Sequence, residues 1–130
     1  MLKAFLRVIL TLFFLCAAAE AAQFRDVSMI QLIANPEQYD AKPIRLIAFL
    51  NVEFEGDALY LHREDFERGM LANAVAISLT DRQARVARHL NRGYVIVEGV
   101  FSAKERGHMG TFSGSIGQLT RIGRWTRRRR

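Results

Sequence analysis

The sequence predicts a mostly β domain with minor α content: a five-stranded Greek-key barrel built in the order α-β-β-β-α-β-β. Three observations carry the prediction. The stretch from Ile44 to His62 reads as a long strand, a tight turn at Glu55-Gly56-Asp57 and a return strand, a β-hairpin. Val75 to Leu79, Tyr94 to Phe101 and Thr111 to Trp125 carry the apolar, β-branched or alternating patterns of three further strands. Between the third and fourth strands lies one helix, opened by Thr80 with Gln83 in the capping-box position.

The chain has 130 residues, half of them hydrophobic, which suits one small core. Its first segment is expected to lie outside that core. Lys3 and Arg7 precede an uncharged run of twelve residues, Val8 to Ala19, and small residues follow through Ala22. This describes a secretory signal peptide over residues 1–21, with cleavage at Ala21/Ala22. The run is well short of the ~20 residues that span a bilayer, and Leu15 before Cys16 does not suit lipoprotein acylation. The product is therefore read as periplasmic or secreted. Cleavage removes the only cysteine, so stability must come from packing. It also lowers the formal charge from +6 to +5, of which Arg127 to Arg130 carry four. The folded body, residues 22–126, is close to neutral, which weighs against an extended nucleic-acid face.

In chain order, Gln23 to Val27 reads as a short leader. Ser28 and Gln31 form a capping box before Ile30, Leu32 and Ile33, and Asn35-Pro36 ends that helix and restarts a single turn above Tyr39. Pro43 opens the first strand. That strand places Ile44, Leu46, Ala48, Leu50, Val52 and Phe54 on one face and Arg45, Ile47, Phe49, Asn51 and Glu53 on the other. Both faces are partly apolar, which predicts a long, bent strand serving two sides of a curved sheet. Arg63 to Arg68 reads as surface helix stopped by Gly69. In the helix after Thr80, Val86, Ala87 and Leu90 form the predicted buried stripe and Gly93 the left-handed stop. Gly114 and Gly117 are candidate bulges in the last strand, and 127–130 is a basic tail.

Three strands, a helix and two strands is the layout of the OB-fold, whose helix plugs one end of the barrel. The run Gln31 to Ala48, Gln-Leu-Ile-Ala-Asn-Pro-Glu-Gln-Tyr-Asp-Ala-Lys-Pro-Ile-Arg-Leu-Ile-Ala, also resembles the lead-in helix, turn and first strand of exported bacterial OB-fold proteins, including uncharacterised families related to the anticodon-binding type. Those families favour Asp-Gly-Lys in the turn and a Gly at the strand's bend; here Ala41 and Ala48 stand there. The resemblance covers residues 28–125 and specifies a fold rather than a chemistry.

Candidate sites follow from this layout. Glu53, Glu55, Asp57, Glu64, Asp65 and Glu67 crowd fifteen residues around His62. His62 with Glu64 or Asp65 would suit a transition metal, although the spacing matches no metal loop and a solvated acidic face is the plainer reading. His108-Met109, flanked by Gly107 and Gly110, sits in the loop that an OB-fold places beside the first hairpin turn, so His108 is expected near Glu55 and Asp57, as a second metal candidate or a ligand contact. Phe49, Tyr60 and Phe101 would be stacking surfaces for a single-stranded nucleic acid. Arg82, Arg85, His89 and Arg92 give the plug helix a basic stripe. Trp125 ahead of Arg127, Arg128, Arg129 and Arg130 suits an anionic membrane surface or nucleic acid. No serine stands in a nucleophile elbow and no phosphate loop occurs, so the reading is non-catalytic and calls for no cofactor. The favoured function is an exported module that binds a protein or small polymer through the barrel face and adjoining loops, with Phe49, Glu53, Glu55, Asp57, Tyr60 and His108 as its contacts.

Overall fold

Local signals set the elements of the computed structural model, which describes residues 23–127. They run β1 (Arg25–Asp26), α1 (Met29–Ala34), α2 (Pro36–Tyr39), β2 (Pro43–Asn51), β3 (Ala58–Tyr60), α3 (Arg63–Glu67), β4 (Ala74–Ile77), α4 (Asp81–Leu90), β5 (Tyr94–Ser102) and β6 (Ser115–Arg124). The predicted signal peptide, with Ala22, and Arg128 to Arg130 lie outside the described residues. Among those described, no helix is long and apolar enough to cross a membrane.

Both capping boxes form. The Gln31 N–H donates to Ser28 Oγ and the Ser28 N–H to Gln31 Oε1, at 3.2 and 2.9 Å. Gln83 and Thr80 repeat the exchange at the start of α4. Pro36 at the first position of α2 restarts the chain after Asn35, and Tyr39 is buried beneath it.

The strands close into a barrel. Sheet order is β1-β2-β3-β4-β6-β5, and β5 returns to pair with β2 over Pro43 to Phe49. The parallel β4–β6 pairing is the Greek-key crossing, and the fold is an OB-fold-like barrel. Ile44, Leu46, Ala48 and Leu50 of β2 point into the core with Leu59, Val75, Val95, Val97, Phe101 and Ile116. Phe49, on the other face, joins a second cluster with Ala58, Tyr60, Ala74, Ala76 and Phe112. The strand thus serves two apolar layers, as its double-sided pattern predicts.

Several details differ from the sequence reading. The leader contributes β1, paired in parallel beside Ile44 and Arg45. Val86 of α4 is exposed; the helix buries Ala87, rests Leu90 on the core and is tied to β6 by Gln83 Nε2 donating to the Leu119 carbonyl at 2.8 Å. The left-handed residue after α4 is Arg92 (φ 62°), one position before Gly93. The β6 irregularity lies opposite Gly99, where the register moves from Glu98↔Arg121 to Val100↔Gly117. A Cβ on Gly99 would fall 2.7 Å from the Gly117 carbonyl, so the close strand approach requires glycine there. Gly114 precedes the strand.

The outer face of β1, β2, β5 and β6 carries an ion row. Arg45 donates to Asp26 at 3.2 Å and to Glu98 at 2.8 Å, and Arg121 reaches Glu98 at 3.3 Å. The Arg45 hydrogen bond, helped by Arg121, holds the Glu98 carboxyl below its ordinary pKa. Its contribution to stability is therefore present above the ordinary glutamate range and lost as pH falls through the lowered value.

Ala41 stands in the turn position where the resembling families have glycine, and its φ is +59°. Its N–H donates to the Phe101 carbonyl at 2.8 Å, which pins the turn to β5. A left-handed alanine costs roughly 1–2 kcal/mol, partly offset in a glycine variant by greater unfolded-chain entropy. Ala41→Gly is therefore expected to stabilise the domain by about 0.5–1 kcal/mol, a rise of roughly 3–6 °C in thermal unfolding. A lower Tm would show that the turn is not strained.

Candidate functional site

The β2–β3 turn is held from within. Asp57 Oδ1 accepts the Glu53 N–H at 3.0 Å, the Gly56 N–H donates to the Glu53 carbonyl at 3.3 Å, and Glu55 adopts a left-handed φ of 59°. Asp57 also fixes the turn to β4, its carbonyl accepting the Ile77 N–H at 3.0 Å. This arrangement thrusts Phe54 into solvent at 92% exposure.

The β5–β6 loop is pinned just as firmly. Phe112 is buried in the second cluster, Arg106 Nε donates to the Phe112 carbonyl at 2.8 Å, and the Phe112 N–H returns to the Arg106 carbonyl at 3.1 Å. Ser113 Oγ donates to the Ala72 carbonyl at 2.7 Å. Gly107 has φ +67°, and a Cβ there would lie 2.6 Å from the Ala76 side chain, so only glycine lets the loop press onto β4. Met109, left-handed at φ 55°, projects outward at 84% exposure.

The two loops enclose a cleft of about 260 Å³. Glu55, Gly56 and Asp57 form one wall, Gly107, His108 and Phe112 the other, and Ala76, Ile77 and Ser78 the floor. The predicted neighbourhood of His108 with Glu55 and Asp57 is thus present. Burial raises the Asp57 carboxyl above its ordinary pKa, with the Glu53 carboxylate adding to the effect against the Glu53 N–H bond and Arg88. The wall is acidic, Asp57 within it is partly desolvated, and exposed Phe54 and Met109 adjoin Glu55 and His108 in the chain.

The remaining predicted residues fall elsewhere. Phe49 and Tyr60 are buried, packed with Phe66 at ring separations of 6.0 and 5.4 Å, and Phe101 is fully buried, so none offers a ring for base stacking. The outer face of β3 and β4, where OB-folds bind oligonucleotides, is covered here by Phe66, Leu71 and Phe112. Burial, with the Glu53 charge behind it, raises the Tyr60 phenol's pKa. Asp65 is buried and committed, accepting the His62 N–H at 2.9 Å and the Asn73 side-chain N–H at 2.7 Å. It ties the β3–β4 connection together rather than joining His62 and Glu64 as a ligand. Among the described residues, no three His, Cys, Asp or Glu side chains converge in a way that could hold a metal ion, at His62 or at His108. Trp125 is exposed at the end of β6 and Arg127 is exposed beyond it.

Phe54, Phe112 and the Ala76–Ser78 floor were not assigned to a site by sequence, and Met109 reads there with His108 as a soft-metal pair rather than as an exposed apolar contact. An apolar residue set between acids, Glu53-Phe54-Glu55, was the available signal for the first. Asn51 was also missed: it is fully buried, its side-chain oxygen and nitrogen lack hydrogen-bond partners, and it stands in the cross-strand row of Ala58 and Ala76.

No family model matches the chain, and no curated protein or solved structure matches it.

A raised acid destabilises the fold as pH climbs through its folded-state value, because the buried group must then ionise. Asp57→Asn keeps the acceptor for the Glu53 N–H and removes the charge. It is expected to raise Tm at pH 7 and to leave it unchanged at pH 3, where Asp57 is protonated in both folded and unfolded chains. An equal shift at both pH values would assign the effect to something other than ionisation.

Proposed function

We propose that the protein is an exported, non-catalytic binding module. It takes a segment of partner polypeptide with interleaved cationic and apolar side chains into the cleft between the β2–β3 turn and the β5–β6 loop. The observation that carries this reading is the pairing of Phe54 and Met109, both almost wholly in solvent, on loops that flank the wall of Glu55 and Asp57. Large apolar side chains held out by rigid loops suit burial against a partner, and the Glu55 and Asp57 carboxyl groups favour a cationic group between them. Support for export comes from Lys3, Arg7, the apolar run and the small residues before Gln23. Coverage of the outer face of β3 and β4, and the pairing of Arg45 and Arg121 with Glu98, favour a polypeptide over an oligonucleotide.

Fluorescence anisotropy with a labelled ten-residue peptide of alternating Lys and Leu, its Glu-for-Lys counterpart and a single-stranded oligonucleotide tests the reading. The Lys-Leu peptide should bind, the Glu-Leu peptide should not, and Phe54→Ser with Met109→Ser should weaken binding at least tenfold with Tm unchanged. Undiminished binding by that double variant, or preference for the oligonucleotide, would overturn it.

A further inference from the structure

The outer face of β2, β5 and β6 carries a second surface, which shares no residue with the cleft. Cross-strand pairing places Ile47, Ile96 and Gly123 in one row and Phe49 and Tyr94 in the next. The Trp125 N–H donates to the Tyr94 carbonyl at 2.9 Å, which extends that second row to Trp125. Phe49 and Ile96 are buried, whereas Ile47, Tyr94 and Trp125 are 42, 37 and 45% exposed. A Cβ on Gly123 would meet nothing within 4 Å, so the β6 end of the first row is open. With strands about 4.8 Å apart and same-face residues about 7 Å apart along each strand, the three exposed side chains form one small apolar footprint.

Charge around the footprint is uneven. On the Ile47 side, Asp26, Arg45, Glu98 and Arg121 neutralise one another. On the Trp125 side, Arg127 is exposed and makes no ion pair among the described residues, and the sequence continues with Arg128 to Arg130. Arg92 lies 4.1 Å from the Phe66 ring centroid, so its charge is held over α3. α3, next to Phe49, carries Glu64, Asp65 and Glu67 against Arg63 and the following Arg68, and Arg92 brings that edge to balance.

We propose that this face docks on an anionic lipid bilayer, with Trp125 and Tyr94 at headgroup depth, Ile47 against the acyl boundary and Arg127 on lipid phosphates. Tyr and Trp favour that interface because their rings are apolar and their N–H and O–H groups stay wet. Arg127, next but one to Trp125, and the arginines that follow it in the sequence supply attraction to anionic headgroups. A nucleic acid fits less well, since a strand lying across the sheet would meet the neutralised Arg45–Glu98–Arg121 row and an aliphatic side chain.

Trp125 is the only tryptophan in the chain and reports the contact directly. The chain from residue 22 onward, which contains the whole described barrel, is titrated with vesicles of equal parts phosphatidylglycerol and phosphatidylcholine, and with phosphatidylcholine alone. The expected result is a blue shift of Trp125 emission with the anionic vesicles, quenching by brominated acyl chains and affinity at least tenfold lower for the neutral vesicles. Ile47→Ser with Tyr94→Ser should weaken binding at least fivefold while the cooperative unfolding transition is kept, at a lower Tm because Tyr94 packs against Phe49. Binding without a blue shift or bromine quenching would overturn the docked face in favour of a tail tether, absence of vesicle binding would overturn it outright, and stronger Trp125 quenching by a single-stranded oligonucleotide than by vesicles would reassign the face to nucleic acid.

Discussion

The antiparallel pairing of β2 with β5 is the constraint on which the rest depends. It joins the two longest inward-facing apolar runs, Ile44 to Leu50 and Val95 to Val97, and turns a five-strand sheet into a closed barrel. Closure removes the edges that an open sheet would expose. It also fixes where the hairpin turn and the β5–β6 loop leave the barrel, and so where they can meet. The cleft is a consequence of barrel geometry before it is a property of Glu55, Asp57 or His108.

Closure alone would leave Phe49, Tyr60 and the alanines of β3 and β4 on the surface. The chain covers them with its own connections: Phe66 and Leu71 from one, Phe112 from the other. That second apolar layer stiffens both connections and occupies the face that related architectures use for oligonucleotides. The same packing presses Gly107 onto Ala76 and swings Met109 outward. Stability and site are therefore coupled, and the unpartnered amide of Asn51, of a kind that costs about 1–3 kcal/mol, is carried within this layer.

Much of the fold was legible because its signals are local. Ser28 with Gln31, Thr80 with Gln83, Asn35-Pro36 and the two-sided pattern of Ile44 to Leu50 each name a structure within a few residues. The positive φ of Ala41, by contrast, emerges only in the structure. Signals that depend on distant partners were not legible. Nothing near Arg25 announces a strand beside Ile44, and nothing near Phe49 or Tyr60 announces that Phe66 will cover them. Val86 fits a helical stripe as well as Ala87 does, and only the orientation of α4 over β6 separates them. Of the site, the approach of His108 to Glu55 and Asp57 followed from topology. Asp65 looked like a ligand because composition cannot distinguish a free carboxylate from one that two N–H groups already occupy.

The central claim is that two loops, held in place by barrel closure, act as one binding surface. Amide chemical-shift mapping on isotopically labelled protein, titrated with the Lys-Leu peptide, tests it most directly. The account predicts that the largest shifts lie together at Glu55 to Asp57, Ala76 to Ser78 and Gly107 to Met109, while Ile47, Tyr94 and Trp125 hardly move. Shifts confined to the strip of Tyr94 and Trp125, or to one loop without the other, would contradict it.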